Sequence, residues 1–257
     1  MKGELEGPAP GARAPRLTSE EETARWVRFM FARVVPRYDL LNHLLSFNLD
    51  RWWRGRAARR LRPMLRQPRA RVLDLCCGTG DLLLALAAQG ARSPVGADFC
   101  HPMLEAARRK LPPGTAYLVE ADALRLPFPA DAFEAVTVGF GFRNLANYRS
   151  GLAEMLRVLR PGGVAAILEF SRPPHPLLAR LYDFYSRRIL PRIGGSISGC
   201  PEAYSYLPDS VRNFPGPGEL AAEMRRAGFH PVAFELFTGG IVALHLGWKP
   251  GEGKSPE

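Results

Sequence analysis

Cysteine, long apolar runs and a secretion signal are scarce or missing in this 257-residue sequence. Its 4 cysteines show no spacing typical of a disulfide framework or a metal site, so we expect a reducing cytoplasm. No apolar run reaches about 18 residues, and we therefore predict no transmembrane helix. The first 17 residues are rich in Pro, Gly and Ala and lack an apolar centre, which predicts a disordered tail instead of a secretion signal.

Lysine is also scarce, because the net charge of +10 comes from arginine, with 31 Arg against 4 Lys. Nine of these arginines lie between Arg51 and Arg71. A basic surface of this kind binds nucleic acid or anionic lipid, or reflects only a coding bias towards arginine. Charge alone therefore leaves the partner undecided.

The stretch from Arg71 to Asp98 predicts the first β-α-β unit of an open α/β sheet. A short apolar strand begins at Val72, a helical pattern follows Gly80, and a second short strand ends on Asp98. Glycines at the carboxyl end of a strand let a ligand approach the backbone, and an acid that ends the next strand can bond a ribose. The order of these parts favours ligand binding over a turn that is only structural.

The glycine turn lacks the features of a phosphate site. A dinucleotide fingerprint needs a third glycine where the chain has Leu83, and no P-loop motif occurs. Asp81 follows the second glycine, and its carboxylate disfavours an anion at the start of the helix. An adenosyl group without phosphates fits better, and Asp74-x-x-x-Gly78-x-Gly80 resembles the first motif of S-adenosylmethionine-dependent methyltransferases.

The rest of the chain supplies further strands and a terminal hairpin. Two alternating segments around Gly239-Gly240 predict an antiparallel hairpin at the end of the sheet. Parallel strands followed by such a hairpin match the Rossmann-like, seven-stranded α/β sheet of methyltransferases. The later strands are predicted at Thr115–Glu120, Phe133–Val138, Val164–Phe170, Phe229–Phe237 and Ile241–Trp248.

We divide the chain into tails at 1–17 and 251–257, an N-terminal helical cover at 18–66 and a methyltransferase domain at 67–250. The segment 172–218 is predicted to be a substrate lid, with a helix near 177–189 followed by a Gly/Ser-rich loop. Within the cover, one group of polar side chains lines a pocket or ties two helices together, and the sequence does not choose. These are Tyr38, Asn42 and His43.

Two loops at the carboxyl ends of later strands hold candidate site residues. Asp122, followed by Ala123, can accept from an adenine amino group while a backbone N–H serves a ring nitrogen. The loop from Gly139 to Asn144 lacks the acidic or Asn-Pro-Pro motif of amine methyltransferases and the nucleophilic Cys of pyrimidine C5 enzymes. Its glycines, aromatics and Arg143 suit a flat, apolar, weakly acidic ring.

Several motifs together resemble the ubiquinone/menaquinone biosynthesis C-methyltransferase family from about residue 20 to 250. Small departures occur at Leu41, Asn48 and Gly139, where Gly139 replaces the Ser of some members. The matching motifs are Tyr38-Asp39-x-x-Asn42-x-x-x-Ser46 with Arg51-x-Trp53-Arg54, Arg157-Val158-Leu159-x-Pro161-Gly162-Gly163-x4-Leu168-Glu169-Phe170-Ser171, Phe140-Gly141-x-Arg143-Asn144, Tyr206-Leu207-Pro208, Phe214-Pro215, Ala227-Gly228-Phe229 and Thr238-Gly239-Gly240-Ile241.

The resemblance implies S-adenosylmethionine as the cofactor and a polyprenyl hydroquinone, demethylmenaquinol, as the methyl acceptor. For the methyl transfer that it implies, we expect Arg143 to stabilise a developing phenolate and Asn144 to orient a water, and the general base stays open among water, His43 and Asp122. The cofactor-binding set expected from the turn and the resemblance is Gly78, Thr79, Gly80, Asp98, Asp122, Ala123 and Gly139.

A polyprenyl substrate implies contact with an anionic membrane, so we expect a cytoplasmic protein at the inner membrane face. The main alternative is an RNA base methyltransferase that uses the basic helix, although the motifs do not favour nucleic acid. A cofactor-binding module without catalysis is a third interpretation. Oligomeric state stays open.

Overall fold

A computed structural model describes residues 11, 19–198 and 200–251 of the chain. Seven strands run through this part of the molecule and form one sheet. Most of the predicted tails at 1–17 and 251–257 lie outside the described residues. The strands are β1 Val72–Leu75, β2 Val95–Asp98, β3 Tyr117–Glu120, β4 Phe133–Gly139, β5 Leu159–Phe170, β6 Val232–Phe237 and β7 Val242–Trp248.

The strand order is β3-β2-β1-β4-β5-β7-β6, with β1 to β5 parallel and β7 antiparallel to both of its neighbours. This arrangement confirms the predicted seven-stranded sheet with its terminal hairpin. β1 is buried at every position, as expected for a parallel strand covered on both faces. The carboxyl ends of β1, β2 and β4 therefore meet at one edge of the sheet.

The helices cover both faces of the sheet and this edge. None of the described helices is long and apolar enough to cross a membrane. They are α1 Glu20–Val34, α2 Tyr38–Leu45, α3 Leu49–Leu65, α4 Asp81–Ala88, α5 His101–Lys110, α6 Tyr148–Val158, α7 Pro176–Phe184, α8 Leu190–Ser198, α9 Pro201–Asn213 and α10 Pro217–Arg226, with a π-helical turn at Tyr185–Ile189.

The region predicted as a cover has two different roles. α1 starts where Ser19 caps the helix by accepting from the Glu22 N–H, and α1 and α2 lie over the sheet edge. α3 instead packs its apolar face on the sheet, where Trp53 and Leu61 are buried in a cluster with β4 and β5 side chains. Its exposed arginines thus lie on the outer face of a core helix.

The predicted Gly/Ser-rich loop after residue 189 is wrong, because α8 and α9 fill this segment. Small residues suit a helix here because α8 packs closely on α9, as Gly194 shows. A Cβ at Gly194 would lie 2.3 Å from a ring carbon of Tyr204, so the glycine allows α8 to pack closely on α9. The segment 172–218 is therefore a set of packed helices.

The predicted turn at Pro161-Gly162-Gly163 lies inside β5. The pairing of β4 with β5 shifts register here, from Phe133 opposite Leu159 to Ala135 opposite Val164. Gly162 adopts φ +78°, which only glycine tolerates readily. The segment Pro161-Gly162-Gly163 is therefore a bulge within β5.

Candidate active site

A narrow cavity of about 60 Å³ lies at the carboxyl ends of β1, β2 and β4, under the α1 side chains Ala24 and Val27. Five of the predicted cofactor residues line it. They are Gly78, Asp98, Asp122, Ala123 and Gly139. Cavities that hold small ligands measure about 300 Å³ or more, so this cavity as it stands is smaller than a bound nucleoside needs.

Asp98 is the buried acid of this cavity. Its Oδ2 accepts from the Gly78 N–H and its Oδ1 from the Cys100 N–H, each at 2.9 Å. Burial raises the pKa of Asp98 to about 6, although the backbone donors favour the ionised form. Gly78 adopts φ +55°, the left-handed conformation for which glycine is suited. The carboxylate is thus held at the cavity wall with acceptor capacity for a ribose hydroxyl.

Thr79 and Gly80 do not line this cavity. The Thr79 hydroxyl donates to Asp39 Oδ1 of α2 at 2.5 Å, and Lys110 Nζ lies 2.7 Å from Asp39 Oδ2. Gly80 begins α4 in the left-handed conformation and packs on the Leu111 side chain. The structure therefore places Thr79 between the glycine turn and the helical cover, where it ties the two together.

A second, larger cavity of about 490 Å³ adjoins the first. Phe31, Tyr38 and Phe140 line both cavities and form the wall between them. Most of the other lining residues are apolar or aromatic, from α2, α3, α7, the π-helical turn and α9. Its volume suits a drug-sized apolar ligand.

Two aromatic rings that contact each other at a tilt line the large cavity. The ring centroids of Phe140 and Phe170 are 4.8 Å apart, and the indole of Trp53 packs edge-on against Phe170. A guanidinium lies over each ring, Arg54 at 5.0 Å from the Phe140 centroid and Arg143 at 5.3 Å from that of Phe170. A flat aromatic ligand has here aromatic rings to pack against, with cations beside them.

Arg143 is buried and paired. Its Nη1 donates to Glu169 Oε1 at 2.7 Å and to the Phe140 carbonyl at 2.6 Å, and its Nε donates to Ser210 Oγ at 3.1 Å. Among the described residues, Nη2 has no hydrogen-bond partner, and the side chain lines the large cavity. One donor nitrogen is therefore left for a ligand.

Asn144 lines the narrow cavity and not the large one. Its Oδ1 accepts from the Tyr206 hydroxyl at 3.2 Å, whereas its buried Nδ2 lacks a partner among the described residues. An unpaired buried amide donor is costly unless a ligand completes it. This donor supports a ligand that presents an acceptor in the narrow cavity.

Tyr38 and Asn42 line the large cavity, and His43 lies behind them. Burial raises the pKa of Tyr38, against the opposing effect of a hydrogen bond with Asn42. His43 Nδ1 is 2.9 Å from Asp50 Oδ2, and its Nε2 is 3.9 Å from Asp81 Oδ2. Tyr38 and Asn42 therefore line a pocket, whereas His43 ties α2 to α3 through Asp50.

The sequence analysis did not identify Asp50 and Arg54 as site residues, although Arg54 belongs to the motif Arg51-x-Trp53-Arg54. Both line the large cavity, and Arg54 Nη1 donates to Asp50 Oδ2 at 2.5 Å. The side chains of His43, Asp50 and Asp81 come close enough to hold a metal ion. However, the Arg54 guanidinium and the Lys110 ammonium already neutralise the two carboxylates, which disfavours a metal.

Known sequences resemble this chain over most of its length. The profile described as the ubiE/COQ5 methyltransferase family matches residues 17–249. A demethylmenaquinone methyltransferase of Thermus thermophilus is 51% identical over 225 residues, which cover 86% of this chain and 100% of the relative. The enzyme of the same name from Deinococcus radiodurans is 44% identical and covers 91% and 97%. These matches confirm the resemblance predicted from the motifs.

Solved structures agree on the fold. A SAM-dependent methyltransferase of Thermotoga maritima superposes with a TM-score of 0.59 at 18% identity, covering 87% of this chain and 99% of its own. A Haemonchus contortus phosphoethanolamine N-methyltransferase in complex with S-adenosylhomocysteine gives a TM-score of 0.51 at 13% identity, covering 70% and 49%. At these identities the likeness concerns the methyltransferase fold.

Proposed function

This chain belongs to the ubiE/COQ5 methyltransferase family, and we propose that it transfers a methyl group from S-adenosylmethionine to a ring carbon of demethylmenaquinol, which gives menaquinol. The observation that carries this proposal is the shared wall between the two cavities. A cofactor in the narrow cavity and a flat apolar ring in the large one would both contact Tyr38 and Phe140, which brings the methyl donor next to the acceptor. The family gives no support to methylation of RNA bases.

The narrow cavity fits an adenosyl cofactor by its donors and acceptors. The Asp98 carboxylate would accept from the ribose, Asp122 would accept from the adenine amino group, and Gly78 leaves room for close approach. The unpaired Asn144 Nδ2 offers a donor. When bound, S-adenosylmethionine would supply an electrophilic methyl group on a sulfonium, with the thioether S-adenosylhomocysteine as the leaving group.

Arg143 acts on the acceptor ring. Loss of the proton from the hydroxyl beside the accepting carbon makes that carbon nucleophilic, and a free phenol has a pKa of about 10. The free Nη2 of Arg143 stabilises the phenolate that develops there, in a site lined mostly by apolar side chains. As the carbon gains the methyl group, its own hydrogen leaves as a proton and the ring regains aromaticity.

The general base is best assigned to a water molecule. His43 is bonded to Asp50 and does not line the large cavity, and Asp122 lines the narrow one. Neither side chain therefore faces the proposed acceptor ring. Asn144, on the cofactor side, would position a water only across the wall between the two cavities.

The polyprenyl tail would leave through an apolar rim. Phe47, Leu181 and Phe184 line the large cavity yet are 74%, 63% and 59% exposed. Phe47 adopts φ +53°, a strained conformation for a bulky residue. These exposed apolar groups, together with the exposed Arg51 and Arg187, would suit an anionic bilayer, which supports our proposal that the enzyme works at the inner face of the cytoplasmic membrane.

The test is a radiolabelled methyl-transfer assay. Purified protein with labelled S-adenosylmethionine should methylate a short-chain demethylmenaquinol kept reduced by dithionite, and should leave bulk RNA unlabelled. Label in RNA with none in the quinol would refute the proposal. Binding of S-adenosylhomocysteine without transfer to either acceptor would support the module interpretation instead.

A further inference from the structure

Three charged side chains of the described part of the chain line the large cavity, and the proposed function uses one of them. Arg143 serves the reacting oxygen, whereas Asp50 and Arg54 have no role yet. Asp50 is 3% exposed and Arg54 is 7% exposed. A buried ion pair contributes little net stability, so its place on the wall of a binding cavity calls for another explanation.

The ion pairs Asp50–Arg54 and Glu169–Arg143 each have their guanidinium over an aromatic ring of the cavity. The guanidinium of Arg54 lies over Phe140, and that of Arg143 lies over Phe170. Because the centroids of these two rings are only 4.8 Å apart, a flat acceptor packed against them has a guanidinium near each ring, at two separate points. A 1,4-hydroquinone carries one oxygen at each end of its ring, which matches two charged points on a mostly apolar surface.

The two pairs differ in the hydrogen-bonding capacity they have left. Glu169 accepts from the Phe170 N–H, the Arg143 N–H and Arg143 Nη1, and it does not line the cavity. The Arg143 end therefore offers only a donor, which suits an oxygen that becomes an anion.

The Asp50 end offers an acceptor as well. Asp50 Oδ1 accepts from the Ser46 hydroxyl at 2.7 Å and keeps a lone pair, while Oδ2 is shared by His43 and Arg54. In the described residues, Arg54 makes its hydrogen bond through Nη1 alone, so Nε and Nη2 stay available. A hydroxyl that keeps its proton can donate to Asp50 and accept from Arg54 at once.

We propose that Asp50 and Arg54 bind the hydroxyl distal to the accepting carbon, and that the Asp50 carboxylate makes the site select the hydroquinone over the quinone. This inference rests on the proposed function and names the recognition of the second oxygen. A quinone carbonyl has no proton to donate and faces the carboxylate as one acceptor against another. Burial would raise the pKa of Asp50, but the bond from Ser46 and the charge of Arg54 lower it, so the group stays ionised.

The first experiment uses the wild-type enzyme and three short-chain acceptors. All keep the hydroxyl beside the accepting carbon, and the distal position carries a hydroxyl, a hydrogen or a methoxy group. A hydrogen bond to a charged group predicts that kcat/KM falls roughly tenfold to a hundredfold without the distal hydroxyl. Equal kcat/KM for the three acceptors would overturn the inference, and this result needs no variant to fold.

The second experiment uses Asp50→Asn. The variant should lose most of the preference for the distal hydroxyl, because an amide no longer presents a charged acceptor. The quinone, added as an inhibitor, should bind the variant more tightly than the wild type, since the amide N–H can donate to a carbonyl. Weaker use of the quinol with stronger inhibition by the quinone is a pair of opposite changes that a folding defect does not produce.

Glu235→Gln is the matched control, because Glu235 pairs with Arg56 and Arg60 of the same helix α3 outside the cavity. It should keep both the acceptor preference and the quinone inhibition constant of the wild type. An Asp50→Asn enzyme that behaves like this control would overturn the inference. Transfer that ignores the distal hydroxyl refutes this inference alone, whereas no transfer to any hydroquinone refutes the proposed function and the inference with it.

Discussion

The Arg143 guanidinium donates from Nη1 to Glu169 Oε1 over 2.7 Å, and both side chains are more than nine-tenths buried. The proposed phenolate stabiliser is therefore also half of a buried ion pair. Removing one partner of such a pair leaves an uncompensated charge, which costs stability as well as activity. Experiments on an Arg143 variant therefore have to measure stability and activity separately.

We predict that Arg143→Ala lowers the free energy of unfolding by about 3–5 kcal/mol, because Glu169 is left buried and unpaired. The double variant Arg143→Met, Glu169→Gln should recover much of this loss but not the turnover. Urea denaturation and the methyl-transfer assay measure the two quantities. Full turnover in the stable double variant would remove Arg143 from the mechanism.

Cofactor affinity should fall as the pH decreases through about 6, because Asp98 must be ionised to accept from the ribose and its pKa is raised to about 6 by burial. Titration calorimetry with S-adenosylhomocysteine between pH 5 and 8 should show affinity falling by up to about tenfold per pH unit on the acid side. Asp98→Asn should bind weakly at every pH. A wild-type affinity that is flat across this range would contradict the assignment.

Asp74 should make the protein less stable as the pH rises. Burial raises its pKa from 3.8 to about 7, against a hydrogen bond from Thr137 at 2.6 Å, and Oδ2 has no partner among the described residues. Between these values the folded chain holds a proton that the unfolded chain has released, so stability falls as pH increases. Asp74→Asn should reduce the loss between pH 5 and 8 by about 2–3 kcal/mol in urea denaturation. An unchanged pH profile in this variant would contradict the shifted pKa.

Thr79 and Asp39 should be energetically coupled, since the Thr79 hydroxyl donates to Asp39. We expect the variants Thr79→Val and Asp39→Asn to lose less stability together than the sum of the single losses, by about 1 kcal/mol. Thr79→Val should change cofactor affinity little, because Thr79 does not line the narrow cavity. A large drop in affinity without coupling would favour the contact with the cofactor implied by the family resemblance.

The apolar rim should hold the protein on anionic vesicles. Phe47→Ser with Phe184→Ser should weaken co-sedimentation at least about tenfold, because burying one aromatic side chain contributes roughly 1.5–3 kcal/mol. Tyr117→Ser is the control, since Tyr117 is 68% exposed on β3 and does not line the large cavity. Equal sedimentation of wild type, double variant and control would rule out the rim as the contact surface.

The sequence alone determined those features that depend on local patterns of residues. Apolar runs, the turn at Gly78 and the alternation around Gly239 predicted the strands, their order along the chain and the final hairpin. The acid at the end of β2 identified Asp98, because a β-α-β unit always brings that position to the edge of the sheet. The motifs then indicated the family.

Only the tertiary structure decided which side chains share a cavity. The sequence predicts a cofactor contact for Thr79 and a role at the acceptor ring for Asn144, yet Thr79 donates to Asp39 in α2, and Asn144 faces the cofactor side. Asp50 joins Arg143 in one lining because α3 and the loop after β4 pack together across a long separation in sequence. Such pairings are set by packing between distant segments, and no periodicity within either segment encodes them.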